Sequence, residues 1–148
     1  MLIVDHLYRT IQEYLPIACV DLLIECDGKI LLLRRDNEPA KGEYWFPGGR
    51  IYKNETIRTA ALRKAREETN LNCEFKKIIS VEESLFKKKN LMLVDIHTIN
   101  VCCLLNVIDL ENFKLDKFHT DHKWINVIDA EYHDAVIGPL LLFGLIRS

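Results

Sequence analysis

The stretch from Pro47 to Leu71 leaves this chain the least conformational freedom. Pro47-Gly48-Gly49 predicts a tight turn whose glycines let the backbone pass close to a ligand that a side chain would obstruct. A helix over Glu55 to Thr69 follows at once, with Asn54 as its N-cap and Asn70 as a stop that tolerates the left-handed conformation. On that helix Arg63 and Glu67 stand one turn apart, as do Lys64 and Glu68. Adjacent carboxylates cannot share one narrow stripe, so one can face a metal while the other braces the groups around it. Mg²⁺ takes oxygen ligands, commonly one or two carboxylates together with waters and substrate phosphates. A helical Glu beside an exposed glycine carbonyl meets that need. Ordinary solvated ion pairs would account for Arg63, Lys64, Arg66, Glu67 and Glu68 alone, but not for a Pro-Gly-Gly turn at fixed distance before them.

The rest of the chain predicts mixed elements around this segment. Val4 to Leu15 reads as a short amphipathic helix ended by Pro16, and Ile17 to Cys26 as a strand. Asp27-Gly28 is a two-residue hairpin signal leading into a strand over Lys29 to Arg34. Asp36 to Tyr44 reads as a loop. Cys73 to Ser84 and Leu93 to Asn106 are the longer strands beyond the helix, separated by the basic turn Lys87-Lys88-Lys89-Asn90. Lys123 to Val127 is a short strand, and one or two helical segments close the chain. The order points to an α+β or α/β sandwich with a mixed sheet, in a single domain over residues 1–148.

Composition narrows the function classes. A net charge of -2 gives no general attraction for nucleic acid or an anionic membrane, so an anionic ligand must be held by a local Arg/Lys cluster. No apolar run approaches the roughly 20 residues that span a bilayer. Met1 to Tyr14 lacks the basic-then-apolar organisation of a secretory signal. Five cysteines without a Cys-x-x-Cys pair read as buried thiols in a reducing cytoplasm, with Cys102 and Cys103 on opposite faces of a strand.

The segment resembles the Nudix hydrolase signature: a Gly, five residues, a Glu, seven residues, then Arg-Glu-apolar-any-Glu-Glu-any-Gly-apolar. Here it reads Gly49, Glu55, Arg63, Lys64, Ala65, Arg66, Glu67, Glu68, Thr69, Asn70, Leu71. Asn70 replaces a Gly, a mild change. Lys64 replaces a Glu that serves ordinary members as metal ligand or general base, and a charged Lys does neither. The stretch Arg35 to Arg50, RDNEPAKGEYWFPGGR, is similar to the GDP-mannose mannosyl hydrolase branch, which also lacks that Glu. In that branch water attacks the sugar's anomeric carbon with inversion and releases GDP.

The resemblance implies a Nudix fold, an α/β/α sandwich with a mixed sheet between helices, and a Mg²⁺ cofactor for which Mn²⁺ substitutes. It implies a nucleotide-sugar substrate and a homodimer. Gly49, through its carbonyl, and Glu68 would bind the metal, with Glu67 behind them. Arg35 would stabilise the departing GDP, Arg50 and Arg63 would hold phosphate or organise the site, and Asp21 would serve sugar binding or catalysis. His119, in His119-Thr120-Asp121-His122-Lys123-Trp124, matches the branch's general base in a loop ahead of a strand, with His122 as second choice. His6, His97 and His133 read as structural or exposed. Where the branch can supply a side-chain oxygen to Mg²⁺, Phe118 stands here, so water, Asp116 or Asp121 would take that place. Tyr44, Trp45 and Phe46 read as core rather than as a nucleobase platform, and Lys87 to Lys89 as a solvated turn.

Three functions are compatible with these residues. The first is hydrolysis of GDP-mannose or a related sugar nucleotide at carbon. The second is Nudix diphosphatase action at phosphorus of a nucleoside triphosphate, ADP-ribose or similar compound. The third is nucleotide binding without cleavage.

Overall fold

The computed structural model describes residues 2–148. Its central element is strand β1 (Ile17–Cys26), whose alternate side chains sort onto two faces. Val20, Leu22 and Ile24 fall on one side and Leu23 on the other, as the twofold repeat of a strand requires. Strand β2 (Lys29–Arg35) does the same, with Leu31 and Leu33 against Ile30 and Leu32. Both faces are therefore covered, and the strands read as near-continuous apolar runs.

Strand β3 (Tyr44–Trp45) pairs with β2, and β4 (Gly48–Arg50) pairs antiparallel with β1 through Cys19–Arg50, Val20–Gly49 and Asp21–Gly48. Helix α2 (Ile57–Thr69) follows α1 (Asp5–Tyr14) in chain order and packs on the Val20 face, where Ala60, Ala61 and Ala65 let it approach closely. Strands β5 (Asn72–Phe86) and β6 (Ile96–Asp109) form a long antiparallel hairpin, and β6 lies parallel to β1. Strand β7 (His119–Ile125) pairs with the outer side of β2. The short strands β8 (Val127–Ile128) and β9 (Ile146–Arg147) pair in parallel around helix α3 (Asp134–Phe143). Val136, Ile137 and Leu140 of α3 cover the Leu23 face, completing an α/β/α sandwich with a mixed sheet. Cys102 and Cys103 divide between the two cores, and all five thiols are free.

Besides β5 running on to Phe86 and β6 lying over Ile96–Asp109 instead of Leu93 to Asn106, three differences from the sequence expectation bear on the site. The α2 cap is Thr56, whose hydroxyl accepts from Thr59 N–H at 3.1 Å, while Asn54 adopts a positive φ of 67° in the preceding turn. Glu55 is the reason. Its Oε1 accepts from Tyr52 N–H at 2.9 Å and its Oε2 meets Arg63 at 2.6 Å, so it closes the turn instead of starting the helix. Second, the Pro-Gly-Gly segment is more than a turn, because Gly48–Arg50 joins the sheet. Third, His119 opens a strand that begins four residues before Lys123, and Val127 belongs to a separate short strand. Asn70 does end α2 in the left-handed conformation, φ 55°, and its side-chain amide donates to Asn112 O at 2.8 Å.

Candidate active site

The end of α2 assembles the site. A helix leaves its last carbonyls without intrahelical partners. Here Thr69 O accepts from Lys114 N–H at 2.9 Å and Glu68 O from Asp116 N–H at 3.1 Å. The loop before β7 is thereby fastened to the helix, and Asp116 is set beside Glu68. Asp116 Oδ1 meets His119 Nδ1 at 2.6 Å and accepts from Phe118 N–H at 3.0 Å. Ligand atoms of Glu68, Asp116 and His119 all lie within 4.8 Å of one another. The His119 side chain is 4% exposed, so it is not a surface loop histidine.

Glu68 is tied to the glycine turn from the other side. Its Oε2 accepts from Gly48 N–H at 2.8 Å. Gly48 has no room for a side chain, because a Cβ there would collide with the Val20 carbonyl oxygen of the paired strand. Burial pushes the Glu68 carboxyl above its ordinary range, opposed by the Lys64 ammonium, by His119 and by the Gly48 N–H. Two carboxylates, one of them buried, converge here and suit a divalent cation that takes oxygen ligands, with the His119 imidazole beside them.

Arg35, at the end of β2, faces His119 across the β2–β7 register, just beyond a bulge at Arg34/Arg35. Its Nε donates to Pro39 O at 2.7 Å. Burial pulls its pKa down, and the charges of Glu68, Asp21, Glu38 and Asp116 pull it back up. Asp21 is pushed up to about 7 by burial, against a hydrogen bond from Asn100 and the charge of Arg35, with Glu68 adding to the rise. Asp21, Arg35, Gly49 and Arg50 line one cleft of about 310 Å³, together with Asn37, Asn100 and other residues.

Arg63 is placed differently. It meets Glu55 at 2.6 Å and Glu67 at 3.2 Å, donates to Arg50 O at 2.9 Å and stacks on Tyr52 at 3.7 Å. These contacts make it a brace between α2 and β4. Glu67 is braced in turn by Arg63 and Lys64, and its side chain is 44% exposed. Arg50 stacks between Tyr8 and Tyr52. Of the two aspartates that could stand in for the oxygen absent at Phe118, Asp116 lies in the cluster. Asp121 instead accepts from Tyr44 at 3.1 Å and from His122 N–H. His122 is exposed and packs edge-on against Phe113. Trp45 and Phe46 are buried in the α3-side core, and both also edge the cleft.

Asn100 and Ser84, both buried and polar, add two further residues to the cleft wall that lie outside the signature and the resemblance. Asn100 carries a signal, standing between Ile99 and Val101 of β6, where a buried amide requires a partner; Ser84 carries none, because β5 around it is largely charged and exposed.

The chain belongs to the Nudix hydrolase family. The NUDIX domain matches residues 15–140. The chain is 30% identical over 128 residues to the low-salt glycan biosynthesis protein Agl8 of Haloferax volcanii, covering 86% of this chain and 80% of Agl8. It is 42% identical over 69 residues to an ADP-ribose pyrophosphatase of Methanocaldococcus jannaschii, 47% of this chain and 41% of that protein. Among solved structures, a MutT NUDIX hydrolase from Burkholderia pseudomallei shares the fold at a TM-score of 0.73 and 20% identity, over 86% of this chain and 98% of the other. Nudix hydrolases act on small nucleotide-linked molecules and generally use divalent metals, which the cluster at Glu68 suits. Among the described residues no helix is long and apolar enough to cross a membrane.

Proposed function

We propose that this Nudix hydrolase cleaves a nucleoside-diphosphate sugar, GDP-mannose being the substrate of choice, by attack of water at the anomeric carbon. One observation carries the reading. Lys64 occupies the position of the usual carboxylate base, while a buried His119–Asp116 pair, 2.6 Å apart, stands beside Glu68. With Asp116 ionised, His119 Nδ1–H donates to it and Nε2 holds the lone pair that a general base needs. Nε2 takes the proton of the attacking water as its oxygen bonds to the anomeric carbon. The bond from that carbon to the β-phosphate oxygen breaks, and GDP leaves with the electron pair. Arg35 faces the charge that grows on the leaving diphosphate. Asp21, held by Asn100 on the cleft wall, receives sugar hydroxyls, and Arg50 borders the same cleft.

Glu68, Asp116 and the Gly49 carbonyl would hold Mg²⁺, or Mn²⁺ in its place, with Glu67 behind them. A divalent ion bound there would supply positive charge to offset the negative charge of the diphosphate. The likeness to Agl8, a glycan biosynthesis protein by name, supports a sugar-nucleotide setting. Free thiols suit a reducing cytoplasm, and the exposed Val4, just before α1, and Leu7 within it suit a homodimer.

A second reading, attack at phosphorus, is favoured by the 42% identity to the ADP-ribose pyrophosphatase. Incubation with Mg²⁺ and GDP-mannose, with products separated and sugar anomers followed by proton NMR, tests the choice. GDP with β-mannose appearing first is expected. GMP with mannose 1-phosphate would move the reaction to phosphorus.

A further inference from the structure

Lys64 holds a position that an ordinary helical ion pair would not require. Its Nζ is 3.3 Å from Glu67 Oε2 and 3.5 Å from Glu68 Oε1, so one ammonium bridges both carboxylates at the end of the signature helix. The side chain is 18% exposed and the Glu68 side chain 9%, which sets the pair apart from solvated surface partners. Its stem crosses the glycine turn directly. A Cβ on Gly49 would lie 2.7 Å from Lys64 Cε and 3.2 Å from Nζ. The absence of a side chain at Gly49 therefore makes room for the lysine as well as exposing a carbonyl. The same lysine borders the groove formed by Tyr8, Arg50, Tyr52 and Arg63 next to the main cleft.

We propose that the Lys64 ammonium is a built-in cation that takes the place of a second divalent ion. Held over Gly49 between Glu67 and Glu68, it neutralises the carboxylates on this side of the site, leaving one ion to be held on the Asp116 side. Three features support this: the ammonium sits at ion-pair distance from two carboxylates, it is tethered by a packed stem, and its charge repels a second cation at short range. The inference rests on the reading of Glu68 as a metal ligand. It separates this chain from a site with a carboxylate at position 64, where the same geometry would attract an ion.

The test is titration with Mn²⁺ in the absence of nucleotide, following the free aquo-ion by electron paramagnetic resonance. It uses wild type, Lys64→Arg, Lys64→Met and Lys64→Glu, with thermal melting to verify that each is folded. Wild type and Lys64→Arg are expected to bind one Mn²⁺ per chain. Lys64→Glu is expected to bind a second, and Lys64→Met to hold the first about tenfold more tightly, since a like charge near Glu68 is gone. Two ions in wild type, or an unchanged count in folded Lys64→Glu, would overturn the proposal. If Lys64→Glu does not fold, an unchanged affinity in Lys64→Met does so. Binding of no Mn²⁺ by any of the four proteins would instead overturn the metal assignment itself. Because no substrate is present, none of these results depends on which nucleotide is cleaved.

Discussion

Glu55 illustrates how far one carboxylate can be committed. Hydrogen bonding from Arg63 holds its carboxyl down at about 2, with the Tyr52 N–H adding to the effect against a cost of burial. A depressed carboxylate contributes stability that is complete above its unfolded value near 4.5 and is lost as pH falls toward 2. Glu55→Gln is therefore expected to lower stability at pH 6, with the gap shrinking below pH 4.5 and closing only as pH falls to about 2, as measured by chemical denaturation across pH. A constant gap would contradict this. His119→Gln is expected to slow turnover about 100- to 10,000-fold, the range for loss of a general base, while Mg²⁺ affinity stays nearly intact. Full activity in that variant would remove His119 from the mechanism. Glu68→Gln should weaken metal binding and turnover together, and an unchanged Mg²⁺ titration would remove it as a ligand. At this scale the candidate residues on β4 and α2 follow from the spacing of a known signature, whereas Asp21 on β1 and Arg35 on β2 follow only from the resemblance to one branch of the family. Asp116 was visible only as one of two substitutes for the oxygen missing at Phe118. No spacing rule says that the loop before β7 is fastened to the last carbonyls of α2, and that fastening is what selects Asp116 over Asp121.

At the scale of elements, α2 is the frame on which the site depends. Its start was misread by two residues because Asn54 and Thr56 are both good caps, and only the Glu55–Arg63 pair decides between them. Thr56→Ala is expected to cost about 1 kcal/mol, the usual loss for an N-cap, while Asn54→Gly, which keeps the positive φ of that turn accessible, leaves the Thr56 cap untouched. Thermal unfolding of the two variants checks this, and a Thr56→Ala protein as stable as wild type would contradict it. The end of α2 was readable, since Asn tolerates the left-handed geometry that closes a helix. The β4 strand was not. Three residues carrying two glycines give no strand propensity, and β4 exists because β1 offers a partner edge for Cys19 to Asp21.

Across the whole molecule, the sheet carries two cores and the site forms where the signature helix, the glycine strand and the β2–β7 edge meet. The sandwich was legible from strand–helix order and from apolar runs that alternate onto both faces. Its strand order was not, because the parallel pairing of β1 with β6 joins residues far apart in sequence. The central claim is that water attacks carbon, with His119 as base. It is tested most directly by running the reaction with GDP-mannose in ¹⁸O-labelled water and locating the label by mass spectrometry. Label in mannose with unlabelled GDP is the expected result. Label in a phosphate product would place the attack at phosphorus and contradict the account.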